Sequence, residues 1–387
     1  MTPRIVVIAG EPSGDVLGAR LMAALRRATG GAALLEGVGG EQMTAAGLVS
    51  RFPMEELSHM GMVELLPHLP GLLRRLRETA DWLRAGPPDL LITIDAPGFC
   101  LRLARRLAGS GIPILHYVAP TVWAWKPDRA ARIARLCDHL LALLPFEPPY
   151  FTREGLACTY VGHPALETMA GMPDGPGFRR RHGIPEGAPL LCLLPGSRAG
   201  ELKRLMPLFG QAVRRLARRH GDLQVVLPTV APVAAWVRAE AAGLGLPATV
   251  IDDAAAKRDA FAASDAALAA SGTVAVELAV VGTPAVIAYR NNPISAAIAR
   301  RMIRVKYASL VNLMIDRAAT PELLQENCRP AAMVEALERL LSDPSARAAQ
   351  RAGYAEALAK LAVDGRPSDR AAGVALRMIA EARAKAG

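Results

Sequence analysis

Four short motifs place polar or charged side chains directly after apolar runs of the sequence. They are Gly10-Glu11-Pro12-Ser13-Gly14-Asp15, Asp95-Ala96-Pro97, Gly196-Ser197-Arg198, and Ser271-Gly272-Thr273 with Glu277 one helical turn further on. Each motif also precedes a segment with helical spacing of apolar residues. A motif between a strand and a helix lies at the carboxyl end of the strand, where open α/β sheets bind their ligands. All four motifs are therefore candidate site segments.

The first motif combines glycines with two acids. The glycines let a ligand approach the backbone and the start of the next helix. However, Glu11 and Asp15 would repel a pyrophosphate, and the spacing is not that of a dinucleotide-binding loop. A tight turn in which Ser13 or Asp15 caps the helix explains the same residues. The motif alone leaves open both a ligand site around Ser13, Gly14 and Asp15 and a structural turn.

The second motif places Asp95 at the end of the apolar run 90–94. A partly desolvated carboxylate at such a strand end has a raised pKa and can act as a general base. The alternative is a turn-initiating aspartate before proline, which is common.

The third and fourth motifs are suited to an anion. Backbone N–H groups at a helix start, together with the Arg198 guanidinium, bind phosphate well. Ser271 and Thr273 are predicted to cap the following helix, with their hydroxyls turned towards a ligand. Glu277 can then accept hydrogen bonds from two vicinal hydroxyls such as those of a ribose. Compensation of the helix dipole is the alternative role for Glu277, and we favour the ligand role.

Metal and redox motifs are missing from the sequence. There is no D-x-D, no H-x-x-x-H and no H-E-x-x-H, and none of the five cysteines is paired as C-x-x-C. This pattern predicts reduced thiols in the cytosol and no metal site.

Eleven continuous apolar runs alternate with helical patterns. Unbroken apolarity is typical of parallel strands that are covered on both faces. Eleven units exceed one ordinary sheet, so the pattern predicts two α/β domains. A segment rich in glycine and proline around 168–189 marks their boundary, giving domains 1–168 and 169–365 and a final helix 366–387.

A leucine-rich stretch followed by arginines at 74–77 has two interpretations. Its spacing is that of an amphipathic helix on a membrane surface or of a helix facing the core. The apolar residues concerned are Met62, Val63, Leu65, Leu66, Leu69, Leu72 and Leu73. The net charge of +10 fits an anionic ligand or membrane, although genome composition explains most of it. The apolar segment 266–289 contains internal turn signals, so we predict a buried strand–helix–strand unit there and not a membrane span.

Taken together, the motifs resemble the lipid-A-disaccharide synthase family. The resemblance also includes Met54-Glu55-Glu56-Leu57, His116 to Trp125, Leu144-Pro145-Phe146-Glu147, Val161-Gly162-His163-Pro164 and Leu324-Gln325-Glu326. It implies a GT-B type α/β fold, with two Rossmann-like, doubly wound parallel-sheet domains facing a cleft. The helical C-terminal segment is expected to return to the N-terminal domain or to pack on a partner subunit.

The resemblance also implies a reaction. A 2,3-diacylglucosamine group would move from its UDP conjugate to 2,3-diacylglucosamine 1-phosphate (lipid X), giving a β-1,6-linked disaccharide 1-phosphate and UDP by metal-independent inverting displacement. The catalytic residues would be Asp95 as base, Glu11 and Arg198. The acceptor would lie near Ser13, Gly14, Asp15 and Trp123. UDP would be bound by Gly196, Ser197, Arg198, Ser271, Gly272, Thr273, Glu277 and Asn312.

The implied partners are the two acylated substrates, the cytoplasmic leaflet of the inner membrane and, as one option, a second copy in a homodimer. No cofactor and no nucleic acid are expected, and the protein would be cytoplasmic and peripherally bound to the membrane. Acylated substrates favour the membrane interpretation of the 62–73 stretch. Two rivals are an epimerase acting on UDP-N-acetylglucosamine and a basic module that binds nucleic acid or anionic lipid. A basic module of this kind would have basic residues interleaved with aromatic ones, but aromatic residues make up only 4% of the chain.

Overall fold

The computed structural model describes residues 2–57, 69–125, 128–291 and 305–386. The chain forms two compact units. The first comprises Met1–Pro164 with Val363–Gly387, and the second comprises Ala165–Ala362.

The first unit is built on a parallel sheet with strand order β2-β1-β3-β4-β5-β6. The strands are β1 (Arg4–Ala9), β2 (Leu34–Val38), β3 (Leu90–Ile94), β4 (Ile114–Tyr117), β5 (His139–Ala142) and β6 (Ala157–Tyr160). The helices described between them are α1 (Pro12–Ala28), α2 (Glu41–Ala45), α3 (Leu69–Ala85), α4 (Pro97–Arg106), α5 (Val122–Trp125), α6 (Arg129–Ile133) and α7 (Pro148–Thr152), with a 3₁₀ turn at Met54–Leu57.

The second unit repeats this plan with strand order β12-β11-β10-β7-β8-β9, again with parallel pairing. Its strands are β7 (Leu190–Leu194), β8 (Gln224–Pro228), β9 (Ala248–Ile251), β10 (Ala266–Ala269), β11 (Ala285–Tyr289) and β12 (Glu322–Leu324). Its described helices are α8 (Ala165–Thr168), α9 (Gly175–Arg181), α10 (Ala199–Ala217), α11 (Ala231–Ala242), α12 (Ala254–Ala263), α13 (Val274–Val281), α14 (Leu310–Ile315), α15 (Pro330–Ser342) and α16 (Pro344–Leu361).

Strand β1 shows why the apolar runs are unbroken. Val6 and Ile8 enter the core on one face of the sheet, whereas Ile5 and Val7 enter the core on the other. Because side chains alternate along a strand, a sheet covered by helices on both faces needs apolar residues at every position. The predicted α/β class with two parallel sheets is confirmed, and segment 266–289 forms β10, α13 and β11 as predicted.

The last helix, α17 (Pro367–Ala386), completes the first unit. Its buried residues Ala371, Ala375 and Ile379 join the core beside α1. Two ion pairs hold its ends, Arg27–Asp369 at 2.6 Å and Arg383–Asp89 at 2.9 Å. The small side chains on this face allow α17 to lie close to α1.

Helix α3 corrects part of the predicted membrane patch. Leu72 is only 7% exposed and packs in the core with Leu76, Ala80 and Leu83. The prediction that Leu72 faces a membrane is therefore wrong, because it lies on the inward stripe of the helix. Leu69 is partly exposed and Leu73 is 40% exposed. The remaining predicted members, Met62, Val63, Leu65 and Leu66, lie outside the described residues.

Each sheet has one point where the strand order reverses, between β1 and β3 in the first unit and between β7 and β10 in the second. Ligands of open α/β sheets bind outside the carboxyl ends of the strands at such points. All four sequence motifs follow one of these four strands. Among the described residues, no helix has the length and apolar character needed to span a bilayer.

Candidate active site

The first unit brings the ends of β1 and β3 into close contact. A Cβ on Gly10 would lie 2.7 Å from the Cβ of Ala96, so this approach requires glycine. Asp95 and Ala96 both have left-handed backbones, with φ values of 49° and 43°. Such conformations are costly outside glycine and are concentrated at functional sites. The Asp95 N–H donates to the Tyr117 carbonyl at 2.9 Å, which fixes this turn beside β4.

Glu11 follows β1 and is 7% exposed, while Ser13 is exposed at the start of α1. The N-cap position of α1 is Glu11, and its side chain makes no capping hydrogen bond. The alternative in which Ser13 or Asp15 caps this helix is therefore wrong. Gly14 is buried, with a Cβ position 3.4 Å from the Ile94 carbonyl oxygen. The first turn of α1 therefore packs on the end of β3.

Asp15 has a structural role. Its carboxylate accepts hydrogen bonds from the backbone N–H groups of Gly40 at 2.8 Å, Gln42 at 2.8 Å and Met43 at 3.0 Å. The side chain is 4% exposed and satisfies the N–H groups at the start of α2. The predicted contact of Asp15 with an acceptor is thus contradicted, because both carboxylate oxygens are already used within the fold.

Trp123 lies after β4 and is held by a buried acid. Its indole Nε1 donates to Glu147 Oε1 at 3.0 Å, and its ring meets Phe146 edge-on at 5.2 Å between centroids. Glu147 Oε2 accepts from the backbone N–H groups of Leu143 and Leu144. Burial raises the pKa of Glu147 to about 7. Sequence reasoning gave Glu147 no role, and its only signal was its place in the motif Leu144-Pro145-Phe146-Glu147.

Two buried histidines lie in this unit. Burial lowers the pKa of both His116 and His163 to about 4, so both are neutral at pH 7. His116 is 1% exposed, and its Nδ1 lies 2.8 Å from Thr93 Oγ1. In the described part of the chain, no group of three or more His, Cys, Asp or Glu side chains is arranged to hold a metal ion.

The second unit presents an open, basic loop after β7. Gly196 has a φ of 120°, and a Cβ there would lie 2.7 Å from Glu201 Oε2. Only glycine therefore allows the loop to fold back onto the first turn of α10. Arg198 immediately precedes this helix, and its side chain is 55% exposed, 3.6 Å from Glu201. The Glu201 carboxylate orients the guanidinium without burying it.

Arg198 shares its surroundings with the end of β11. Burial raises the pKa of Tyr289, and the Glu201 carboxylate adds to the rise, while the guanidinium groups of Arg204 and Arg198 oppose it. The charges of Glu201, Arg204 and Arg198 therefore all act on Tyr289 at the end of β11. Sequence reasoning missed Arg204, which lies in α10 six residues after Arg198.

The loop after β10 is glycine-dependent as well. Gly272 has a φ of 159°, and Thr273 is exposed at the N-cap of α13 without a side-chain capping bond. The Ser271 hydroxyl donates to the Ala308 carbonyl at 3.2 Å. The prediction that Thr273 caps the helix with its side chain is therefore wrong. Its hydroxyl is left exposed at the carboxyl edge of the sheet.

Glu277 is paired with a lysine that sequence reasoning missed. Lys257, in the first turn of α12, lies 2.6 Å from Glu277 Oε2, and both side chains are mostly buried. Lysine is rare in this arginine-rich chain, which is the only sequence signal for Lys257. The pair places one cation and one acid at the ends of β9 and β10.

Asn312 is not available to a nucleotide. Its side-chain Nδ2 donates to the Thr320 carbonyl and to Glu322 Oε1, both at 2.7 Å, and its Oδ1 accepts from the Thr320 N–H at 2.8 Å. It is 0% exposed. The predicted direct contact is contradicted because these bonds use both N–H donors of the amide. Asn312 instead orients Glu322, which accepts from the N–H groups of Ala308 and Ser309.

Solved structures of other proteins share the fold of this chain. The chain resembles Staphylococcus aureus MnaA solved with UDP, with a TM-score of 0.63 at 14% identity over 95% of this chain and 94% of that one. It also resembles the calicheamicin glycosyltransferase CalG4, with a TM-score of 0.59 at 18% identity over 98% of both chains. At these identities the likeness shows the fold alone, which is that of GT-B glycosyltransferases.

Sequence comparison is more specific. The family model described as lipid-A-disaccharide synthetase matches residues 5–371. The lipid-A-disaccharide synthase of Rhodospirillum centenum is 54% identical over 97% of this chain and 94% of its own. That of Paramagnetospirillum magneticum is 49% identical over 98% of each chain. The chain belongs to the lipid-A-disaccharide synthase family, a family of glycosyltransferases of lipid A biosynthesis. This membership overturns the epimerase and non-catalytic alternatives.

Proposed function

We propose that the chain transfers 2,3-diacylglucosamine from UDP-2,3-diacylglucosamine to 2,3-diacylglucosamine 1-phosphate (lipid X). The observation that carries the proposal is the pair of strand-order reversals, one bearing acids in the first unit and one bearing cations in the second. In the reaction, the acceptor 6-hydroxyl oxygen bonds to C1 of the donor sugar on the face opposite UDP. The C1–O bond to UDP breaks, and UDP leaves with the bonding electron pair.

In this proposal the first unit binds the acceptor, and Asp95 removes the proton of its 6-hydroxyl. The support is geometric, because the fixed left-handed turn presents a partly exposed carboxylate at the strand-order reversal. Glu11, buried at the end of the neighbouring strand, provides a second carboxyl group on this edge.

The second unit binds UDP. Arg198 and the backbone N–H groups of Gly196 and Ser197 take the diphosphate, and the hydroxyls of Ser271 and Thr273 lie beside it with Gly272. Fixed cations and N–H dipoles stabilise charge that develops on a leaving group. Glu277 accepts from the ribose hydroxyls, and its ion pair with Lys257 at 2.6 Å holds the carboxylate in place. With these groups neutralising UDP, we propose that the transfer needs no metal ion.

Membrane contact follows from the acylated substrates. On α3 the exposed Leu73 lies beside Arg74, whose side chain is 64% exposed. Arg75 is different, because it is held by both oxygens of Glu56 at 2.7 and 2.9 Å. We propose that Leu73 enters the cytoplasmic leaflet of the inner membrane while Arg74 and Arg77 meet lipid phosphates.

The experiment is an assay of the purified protein with both acylated glucosamine substrates, following disaccharide by mass spectrometry and UDP release. A β-linked disaccharide 1-phosphate, formed at the same rate with and without a chelator, is the expected result. Release of UDP without disaccharide would contradict the acceptor assignment. A rate that falls in chelator and returns with added Mg²⁺ would contradict the metal-independent step.

A further inference from the structure

One buried carboxylate of the first unit takes no part in the proposed chemistry. Glu147 lies between β5 and α7, is 3% exposed, and accepts three N–H hydrogen bonds. Two of these bonds come from the backbone of its own loop, at Leu143 and Leu144. The third comes from Trp123, on the segment that follows the neighbouring strand β4. Glu147 thus ties together two loops at the carboxyl edge of the sheet.

The orientation of Trp123 depends on its hydrogen bond to Glu147. Helix α5 has only four residues, and so short a helix has little stability of its own. It follows Val118, a β-branched residue with a φ of 81°, which is a strained backbone. Val122 anchors the backbone in the core, whereas the indole ring is oriented by the Glu147 hydrogen bond and by the edge of Phe146.

The position of α5 connects Trp123 to the proposed acceptor site. Strand β4 pairs with β3 along its length, with Tyr117 opposite Ile94. The turn that carries Asp95 is fixed by the Tyr117 carbonyl at the end of β4. The segment with Trp123 therefore leaves the sheet beside the proposed base. Its indole is only partly buried, so one surface of the ring can meet a ligand.

Glu147 also changes its charge near neutral pH. Burial raises its pKa to about 7, against the lowering effect of its three N–H donors. The titratable groups that interact with it are Cys158 and Tyr160 of β6, whose pKa values burial raises to about 12, with Arg370 facing Tyr160. Both stay neutral at pH 7, so neither changes its charge where Glu147 does. A protonated carboxyl carries an O–H donor in place of an acceptor site.

We propose that Glu147 is a positioning residue for acceptor binding, which holds the Trp123 indole at the edge of the sheet where the acceptor sugar binds. This inference rests on the proposed function, because it assumes that the acceptor binds to the first unit. Neither residue exchanges a proton with the substrates. Their effect is on the KM for the acceptor and not on the KM for the UDP-sugar.

The test is a double-mutant cycle with Glu147→Gln and Trp123→Phe, assayed with both acylated substrates. Each single variant should raise the acceptor KM by roughly 10-fold, the usual effect of losing a hydrogen bond to a charged group. The donor KM and kcat should stay within about 2-fold of their wild-type values. That change is far smaller than the one expected when a hydrogen bond to a charged group is lost. The double variant should be no worse than the worse single variant. The exposed Glu154→Gln is the matched control and should change nothing.

The pH profile separates positioning from simple loop support. The acceptor KM of the wild-type protein should rise as the pH falls through about 7, and the rise should be absent in both Glu147→Gln and Trp123→Phe. Additive effects in the double variant, or an unchanged acceptor KM in Trp123→Phe, would overturn the inference. Trp123→Phe leaves the bonds of Glu147 to Leu143 and Leu144 intact, so it remains informative if Glu147→Gln does not fold.

A readout without substrate keeps this inference distinct from the proposed function. In a protein whose other tryptophans are replaced by phenylalanine, Trp123 emission should shift with a midpoint near pH 7, and Glu147→Gln should abolish the shift. If the wild-type protein makes no disaccharide while this shift is present, the proposed function fails and the Trp123–Glu147 coupling stands. If disaccharide forms and the shift is absent, the coupling fails alone.

Discussion

The two strand-order reversals share one topology and have opposite electrostatics. At the first, the acids Glu11 and Asp15 are buried, and the bonds described for Asp15 come from N–H groups. At the second, Arg198 is exposed on a glycine loop, and the acids Glu201 and Glu277 serve as counter-ions for cations. This difference shows that the fold provides only the location of a ligand site. The burial or exposure of the charged side chains at that location determines its chemistry.

Burial and exposure suit different tasks. A carboxylate that removes a proton benefits from partial desolvation, which raises its pKa towards that of its substrate. A site for a diphosphate needs cations that are held in position yet open to a large anion. Under the proposed function, the first unit therefore prepares an alcohol and the second accepts a leaving anion. The following variants test this division.

The largest effect is expected for Asp95→Asn. General-base catalysis contributes roughly 100-fold to 10,000-fold, so kcat should fall by at least about 100-fold. Asparagine tolerates the left-handed backbone at this position, and the melting temperature should change little. Steady-state assays with both acylated substrates measure the change. A kcat near the wild-type value would exclude Asp95 as the base.

Leu72→Glu and Leu73→Glu compare the two faces of α3. Burying a charge at Leu72 should destabilise the first unit by roughly 3 kcal/mol or more. Leu73→Glu should change the free energy of unfolding by less than about 0.5 kcal/mol, yet reduce sedimentation with anionic vesicles. Urea unfolding and vesicle sedimentation measure these effects. Unchanged vesicle binding by Leu73→Glu would remove Leu73 from the membrane contact.

Glu147→Gln should change how stability depends on pH. The raised pKa means that the folded state binds more protons than the unfolded state between about pH 4.5 and 7, so ionisation of Glu147 lowers stability by roughly 3 kcal/mol as the pH rises. His116 and His163 act in the opposite direction between about pH 4 and 6.5, because their pKa values are lowered. Without Glu147, the free energy of unfolding should rise more steeply with pH over this range.

Urea unfolding at several pH values between 4.5 and 7 measures this slope. Glu154→Gln, an exposed change of the same kind, should follow the wild-type protein. Parallel curves for Glu147→Gln and wild type would mean that Glu147 is ionised throughout, and its raised pKa would be wrong.

A smaller effect is expected at Glu277. If its carboxylate binds the ribose, wild-type protein should bind UDP roughly 5-fold to 10-fold more tightly than a deoxy analogue that lacks one of the two hydroxyls. Glu277→Gln should reduce this preference to about 2-fold, and Lys257→Met should do the same if the ion pair positions the acid. Calorimetry with UDP and 2′-deoxy-UDP gives the ratio. An undiminished preference in Glu277→Gln would place the ribose elsewhere.

The sequence predicts the fold well, because the fold rests on local patterns. Unbroken apolar runs give buried parallel strands, and glycine turns after β1 and β7 mark the carboxyl edges. Individual roles are less predictable where partners are distant in the chain. Asp15 is bonded to the start of α2, and Asn312 to the segment before β12, so neither structural role is visible in its own motif.

Amphipathic spacing has a different limit. In α3, Leu72 and Leu73 both fit an apolar stripe, and only the packing of the helix on the sheet decides which of them is buried. Glu147 illustrates a third case. Its partner Trp123 lies on a separate loop, and only the pairing of β4 with β5 brings the two segments together.

The division of labour between the two units is tested most directly by calorimetric titration of UDP into three proteins: wild type, Asp95→Asn and Arg198→Ala. Asp95→Asn should bind UDP with wild-type affinity although it has lost turnover. Arg198→Ala should bind roughly 10-fold to 100-fold more weakly, the loss expected for a charge-assisted contact with phosphate. Unchanged UDP affinity in Arg198→Ala, or weakened affinity in Asp95→Asn, would contradict the assignment of UDP to the second unit.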